Sequence, residues 1–167
     1  MNPVKSKKST MKERKLTLYL DTSVIGGYYD VEFEKETKLL FEDIVNGEYY
    51  VLYSTLTEDE LIKAPERVRK LINELPESIK RKIELTEEAT LLADCYITEN
   101  VVGKTSREDC LHIAMATITR ADILVSWNFK HIVNVKRIRG YNAINIKYGY
   151  AAIDIRSPKE IIDYESK

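Results

Sequence analysis

The chain has 167 residues, 44% hydrophobic and 32% charged, with a formal net charge of −1. That length suits one domain with a sizeable core, and the near-neutral balance excludes a bulk polycation that coats nucleic acid by charge alone. Two cysteines, Cys95 and Cys110, sit fifteen apart with no CxxC pattern, which points to reduced thiols in a cytosolic protein rather than a disulfide framework or zinc knuckle. No apolar run approaches the ~18–20 residues that span a bilayer. The basic opening is followed only by LTLYL before Asp21, short of the ~7–15 apolar residues of a signal peptide, so neither membrane nor secretion is expected.

Residues 1–15 hold six Lys/Arg against one Glu and read as a disordered basic tail, with Met11 as a candidate start. LTLYL (16–20) reads as a strand that stops on Asp21. GGYYDVE follows as a flexible turn through Gly26 and Gly27. Residues 32–46 form a helix with Phe33, Thr37, Leu40, Phe41, Ile44 and Val45 near one face, ended by Gly47. YYVLYS (49–54) is a second strand, and Thr57 caps a short helix carrying Glu58, Asp59 and Glu60 before Pro65. Residues 66–83 read as one or two amphipathic helices broken at Pro76.

Thr86 caps a further helix to about Asn100, with Ala89, Leu92 and Tyr96 inward, and Gly103 separates it from the next. Ser106-x-x-Asp109 has the spacing of a capping box opening a helix over 107–120. ADILVSWN (121–128) is a near-continuously apolar third strand, as in a sheet covered on both faces. Short strands at 143–146 and 151–155 and a terminal helical turn in SPKEIIDYE complete the chain. Strands alternating with helices imply an α/β fold, a mostly parallel sheet in three α/β/α layers.

In such a sheet, strand C-termini and the starts of following helices share one rim. Asp21, Asn128, Asp109 and the acidic run at 58–60 all fall there. Each has a local explanation as a cap or turn residue, but several carboxylates on one rim repel one another unless a cation separates them. Oxygen ligation by Asp21, Glu60 and Asp109 suits Mg²⁺ or Mn²⁺. Glu60 is chosen from its run because it directly precedes the buried-side Leu61 and Ile62.

His112, one turn after Asp109, can ligate or relay protons, although its apolar neighbours favour a half-buried packing role. His131, three residues after Asn128, is the stronger functional candidate of the two. Residues 123–153 contain no Asp or Glu, while Lys130, Lys136, Arg137, Arg139 and Lys147 fall there among five aromatic residues. Basic charge interleaved with aromatics can grip a phosphate backbone and stack bases; a solvated face over packed aromatics is the competing explanation. Asp94 reads as a helix-surface charge and Asp122 as a turn residue before the third strand.

LYLDTSVIGGYYD, the Glu60-Leu61 pair, DCLHIAMA (109–116) and ILVSWNFKHIVN (123–134) together resemble, in order, the motifs of a PIN domain, the fold of VapC-type toxin ribonucleases. The likeness covers roughly residues 16–150, with 151–167 as a strand and tail on the same domain, and WN…HI…N resembles one PIN subgroup. The resemblance implies a Mg²⁺- or Mn²⁺-dependent endoribonuclease, the toxin of a toxin–antitoxin pair, in the cytoplasm. It implies RNA as substrate, a cognate antitoxin as partner and self-association as a homodimer. Its three acids fall on Asp21, Glu60 and Asp109. Where many PIN nucleases place a fourth acid this chain has Asn128, which keeps an oxygen ligand but no charge and weakens any second ion. Ser23, Lys130, His131, Arg137 and Arg139 are the substrate-side candidates.

Two other classes compete. An aspartyl-nucleophile phosphatase needs a second acid two residues after the first, where this chain has Ser23. A non-catalytic PIN-fold module binding RNA or protein is favoured by the missing fourth acid.

Overall fold

The computed structural model describes residues 13–100, 103 and 105–162; the expectations for residues 1–12, including a start at Met11, lie outside them. Five strands form one sheet in the order β3-β2-β1-β4-β5, every neighbouring pair parallel. They are β1 (Leu16–Leu20), β2 (Tyr49–Ser54), β3 (Lys80–Ile83), β4 (Ile123–Val125) and β5 (Asp154–Arg156). In register, Leu18 lies beside Val51 on one side and Ile123 on the other.

Because side chains alternate along a strand, the central strands feed two cores. Tyr19, Leu52 and Leu124 enter one, with residues of α5 (Glu87–Thr98), α6 (Arg107–Ile118) and α7 (Val135–Lys147). Leu18, Leu20, Val51, Tyr53 and Val125 enter the other. That second face is covered by α1 (Thr22–Gly27), α2 (Glu34–Val45), α4 (Glu66–Glu74) and α8 (Pro158–Ile161). The short α3 (Thr55–Leu61) leaves the end of β2 and contributes Leu56 to the first core and Leu61 to the second. The architecture is the three-layer α/β/α arrangement implied by the alternation of strands and helices.

Several elements differ in detail. Residues 66–83 are not all helical: α4 stops before Pro76, whose ring disfavours helical geometry in the preceding residue, and Lys80–Ile83 forms the edge strand β3. Its Lys-Arg-Lys run offers no local strand signal; parallel pairing with β2 decides it, and lysines on an edge discourage further pairing. Residues 143–146 are helix, not strand. Asn134 caps α7 by accepting the Arg137 amide at 3.2 Å, and Tyr141, Ile144 and Asn145 share its buried face at helical spacing.

The third strand is only Ile123–Val125; the Ser126 amide still bonds the Arg156 carbonyl of β5 at 3.0 Å, and the chain then turns, with the Phe129 amide on the Trp127 carbonyl. Ser54, not Thr57, caps α3, its hydroxyl accepting the Thr57 amide at 3.2 Å. Gly26 and Gly27 lie within α1 rather than in a flexible turn, and a Cβ on Gly27 would stand 2.8 Å from the Trp127 indole nitrogen. Gly47 does end α2, at a φ of +82° that glycine adopts without strain. Cys110 is buried, Cys95 partly so, and both are free thiols. No helix among the described residues is long and apolar enough to cross a membrane.

Candidate active site

Asp21 follows directly on β1, is 5% exposed, and heads α1. Its Oδ2 accepts two hydroxyl protons, from Ser23 at 2.8 Å and Ser126 at 2.6 Å. Both serines are themselves fixed by loop amides, since Ser23 accepts from Trp127 N at 2.9 Å and Ser126 from Asn128 N at 2.9 Å. The turn after β4 thus locks one oxygen of Asp21 and leaves Oδ1 toward His112, 3.7 Å from Nε2.

Glu60 reaches the same point from α3. Its carboxylate takes a very short hydrogen bond from the Thr22 hydroxyl and lies 3.1 and 3.2 Å from His112 Nε2. His112 is 1% exposed on α6. The expectation of a half-buried packing histidine is therefore corrected: it is fully enclosed, and polar groups meet both ring nitrogens. Nδ1 is 2.7 Å from the Tyr19 hydroxyl, which in turn donates to Ser54 Oγ at 3.0 Å. One donor atom from each of Asp21, Glu60 and His112 lies within 4.8 Å of the others.

Asp109 stands in the first turn of α6 with its amide on Ser106 Oγ at 3.2 Å. Its carboxylate is not one of the three that meet. It accepts the Asn128 side-chain amide at 3.2 Å, while Asn128 Oδ1 accepts the His131 amide at 2.9 Å.

The electrostatics follow from this crowding. Burial lowers the pKa of His112, but the Glu60 hydrogen bond and the charges of Asp21, Glu60 and Asp109 outweigh it, so His112 is raised overall. Burial pushes Glu60 up, and its bonds to His112 and Thr22 more than reverse that, leaving it below the usual carboxylate range. Asp109 is raised, by burial first and then by the charge of Asp21, against the opposing pull of Ser106 and two histidines.

The substrate-side candidates divide. Ser23 is committed to Asp21 and Trp127. Lys130 and Arg139 are exposed. Arg137 on α7 donates to Thr105 through a very short bond. His131 is half-buried in the turn after β4, and its Nδ1 has no hydrogen-bond partner. Outside the site, Asp94 pairs with Arg107 at 3.1 Å on the surface, and Asp122 holds the turn before β4 by accepting from Arg14 and the Thr17 amide.

Sequence reading passed over Ser126, Tyr19 and Thr22 and undervalued His112. The signals were present: Asp109 and His112 are i,i+3 neighbours on one helix face, and Tyr19 alternates with two leucines in β1 and so points the opposite way.

No protein-family profile matches the sequence, and no curated protein matches it. Solved structures do. One is VapBC2 of Rickettsia felis bound to a DNA fragment from its promoter, at 16% identity and TM-score 0.57, covering 85% of this chain and 98% of that one. The fold is PIN-like. The sarcin-ricin-loop-cleaving toxin VapC20 of Mycobacterium tuberculosis matches at 12% identity and TM-score 0.54, over 81% of this chain and 98% of the toxin. DNA-bound VapBC of Salmonella typhimurium matches at 16% identity and TM-score 0.55, over 86% and 98%. At these identities the likeness is one of fold; any activity has to be argued from the site.

Proposed function

We propose that this chain is a metal-dependent endoribonuclease of the PIN type, the toxin of a toxin–antitoxin pair, that hydrolyses RNA phosphodiester bonds in the cytoplasm. The observation that carries it is the meeting of Asp21, Glu60 and His112 at the carboxyl rim of a PIN-like sheet, with Asp109 near enough for its charge to act on His112. The VapC neighbours support the same reading, as does the ordered motif set ending in WN…HI…N. A cognate antitoxin and a second copy of the chain are the protein partners this reading proposes.

The donors fit a divalent ion: Asp21 Oδ1 has no hydroxyl bonded to it, and the carboxylates face one another across His112. Asp21 and Glu60, with Asp109 near them on the rim, would hold Mg²⁺ or Mn²⁺. Such an ion supplies charge neutralisation at the phosphate and activation of a water. Within the chain, Ser23 and Ser126 orient Asp21, and Thr22 and His112 orient Glu60. The exposed Lys130 and Arg139 lie free to meet RNA phosphates, with His131 half-buried in the turn next to Lys130. Arg137 is half-buried and donates to Thr105.

A specific observation keeps the non-catalytic module in view. Both ends of the Asn128 amide are already used, on Asp109 and the His131 backbone, so Asn128 replaces a carboxylate with a structural clamp. Controlled expression separates the two. The nuclease reading requires growth arrest with new RNA ends in cells making the wild-type chain and neither in cells making equal amounts of Asp21→Asn. Equal effects of both proteins would favour the binding module.

A further inference from the structure

We infer that His112 is itself a metal ligand, so that Asp21, Glu60 and His112 form a two-carboxylate, one-imidazole site that favours first-row transition ions over Mg²⁺. This rests on the proposed metal-dependent reading and assigns a donor that oxygen-only ligation does not contain.

Geometry supports it first. With metal–ligand bonds of about 2.0–2.2 Å, neighbouring donors in a tetrahedral or octahedral shell stand roughly 3–3.6 Å apart. His112 Nε2 is 3.1 Å from a Glu60 oxygen and 3.7 Å from Asp21 Oδ1, close to the spacing of a shared shell. The histidine is enclosed on α6 between the apolar Leu111 and Ile113, so Nε2 is held where it is.

The surroundings of Nδ1 make the same case. A ligating histidine gives its other ring N–H to a fixed acceptor, which sets the tautomer. Tyr19 is placed for that part. Its hydroxyl donates to Ser54 Oγ at 3.0 Å. Its oxygen is left as an acceptor for Nδ1–H. Ser54 Oγ accepts from Tyr19 and from the Thr57 amide, and Thr57 Oγ1, 3.2 Å away, can take its proton. Every donor in this buried chain has an acceptor when Nδ1 carries the proton, and an ion that replaces the Nε2 proton would then meet the Nε2 lone pair beside the two carboxylates.

Competition for the remaining oxygens points the same way. Asp21 Oδ2 is taken by Ser23 and Ser126, and Asp109 takes the Asn128 amide. The site therefore combines a small set of free carboxylate oxygens with one imidazole. Imidazole adds affinity for transition ions and little for Mg²⁺.

The test is pulsed electron paramagnetic resonance of the full chain loaded with one equivalent of Mn²⁺, read for the nitrogen modulation of a bound imidazole. The expected spectrum shows it in wild type and in His131→Ala, and loses it in His112→Asn. Tyr19→Phe, which removes the acceptor for Nδ1–H, should weaken Mn²⁺ binding about 10-fold or more with a smaller effect on Mg²⁺. Should His112→Asn fail to fold, the wild-type and His131→Ala spectra still decide. Mn²⁺ bound in an Asp21-dependent way without nitrogen modulation would overturn ligation by His112 and leave the nuclease reading standing. Modulation lost in His131→Ala would overturn it too, by moving the nitrogen to His131. Absence of any Mn²⁺ binding by wild type would overturn both readings.

Discussion

Asn128 donates its side-chain amide to Asp109 at 3.2 Å, so the position where a fourth acid would repel its neighbours instead ties two parts of the rim together. Asn128→Asp keeps the oxygen that accepts from the His131 amide but turns the donor facing Asp109 into a second negative charge. Without metal the variant should lose about 1–2 kcal/mol, a drop in Tm of roughly 2–8 °C. Mn²⁺ should restore more of the Tm in this variant than in wild type, as thermal melts with EDTA and with Mn²⁺ would measure. An equal response to metal in both proteins would make Asn128 a clamp and nothing more.

Asp109 has its pKa raised by burial and by Asp21, so its ionised form is disfavoured in the folded protein. A carboxylate raised in this way detracts from stability above its folded pKa, and the penalty disappears below the unfolded value, near ~3.9. Asp109→Asn keeps an acceptor for Asn128 and removes the charge. In EDTA it should therefore melt higher than wild type at pH 7.5 and show no such advantage near pH 3.5. RNA cleavage should meanwhile fall about 100-fold or more. A lower Tm at pH 7.5 would mean that the carboxylate stabilises the fold.

Asp122 provides the opposite case. Burial raises its pKa, but the bonds from Arg14 and the Thr17 amide overcome that and leave it lowered. Its contribution is then complete above the unfolded pKa of ~3.9 and is lost as pH falls through the folded value. Asp122→Asn should reduce Tm at neutral pH and flatten the decline on the acid side, with the two melting curves converging toward pH 2.

Much of this architecture could be read from residue patterns. The β1 strand ending on Asp21, the caps at Thr86 and Ser106, the Gly47 stop and the parallel sheet all follow from local chemistry. What failed was non-local. KRKI is a strand only because β2 lies beside it, and AINI is helical because Asn134 caps a turn eight residues upstream and Asn145 reaches Tyr96 and Thr117 in the core. His112 looked apolar by its neighbours in sequence. Its polar partners Tyr19 and Glu60 come from other elements, and no spacing along one chain segment reports them.

The packing of α1 gives a test independent of chemistry. Trp127 donates its indole N–H to Thr37 at 2.9 Å and stacks on Phe33, and a methyl group on Gly27 would press into that contact. Gly27→Ala should cost about 1–3 kcal/mol through overpacking and shift the fluorescence of Trp127, the only tryptophan in the chain. Unchanged emission and Tm would show that the turn yields easily.

Lys130 and Arg139 are exposed cations in the acid-free segment. If both contact phosphates, the Lys130→Ala/Arg139→Ala double variant should weaken binding across RNA sequences alike. It should also reduce the log–log salt slope by about 1.4, or 0.7 per contact on a single strand. An unchanged slope would assign them to the solvated face.

Metal-dependent nuclease activity is measured by the rate of RNA cleavage as Mn²⁺ is titrated into metal-stripped wild-type protein and Asp21→Asn. A saturable, Mn²⁺-dependent rate in wild type that falls to background in Asp21→Asn, with both proteins equally folded, is expected of a metal-dependent nuclease. Cleavage that persists in EDTA, or that is equal in the two proteins, would contradict it.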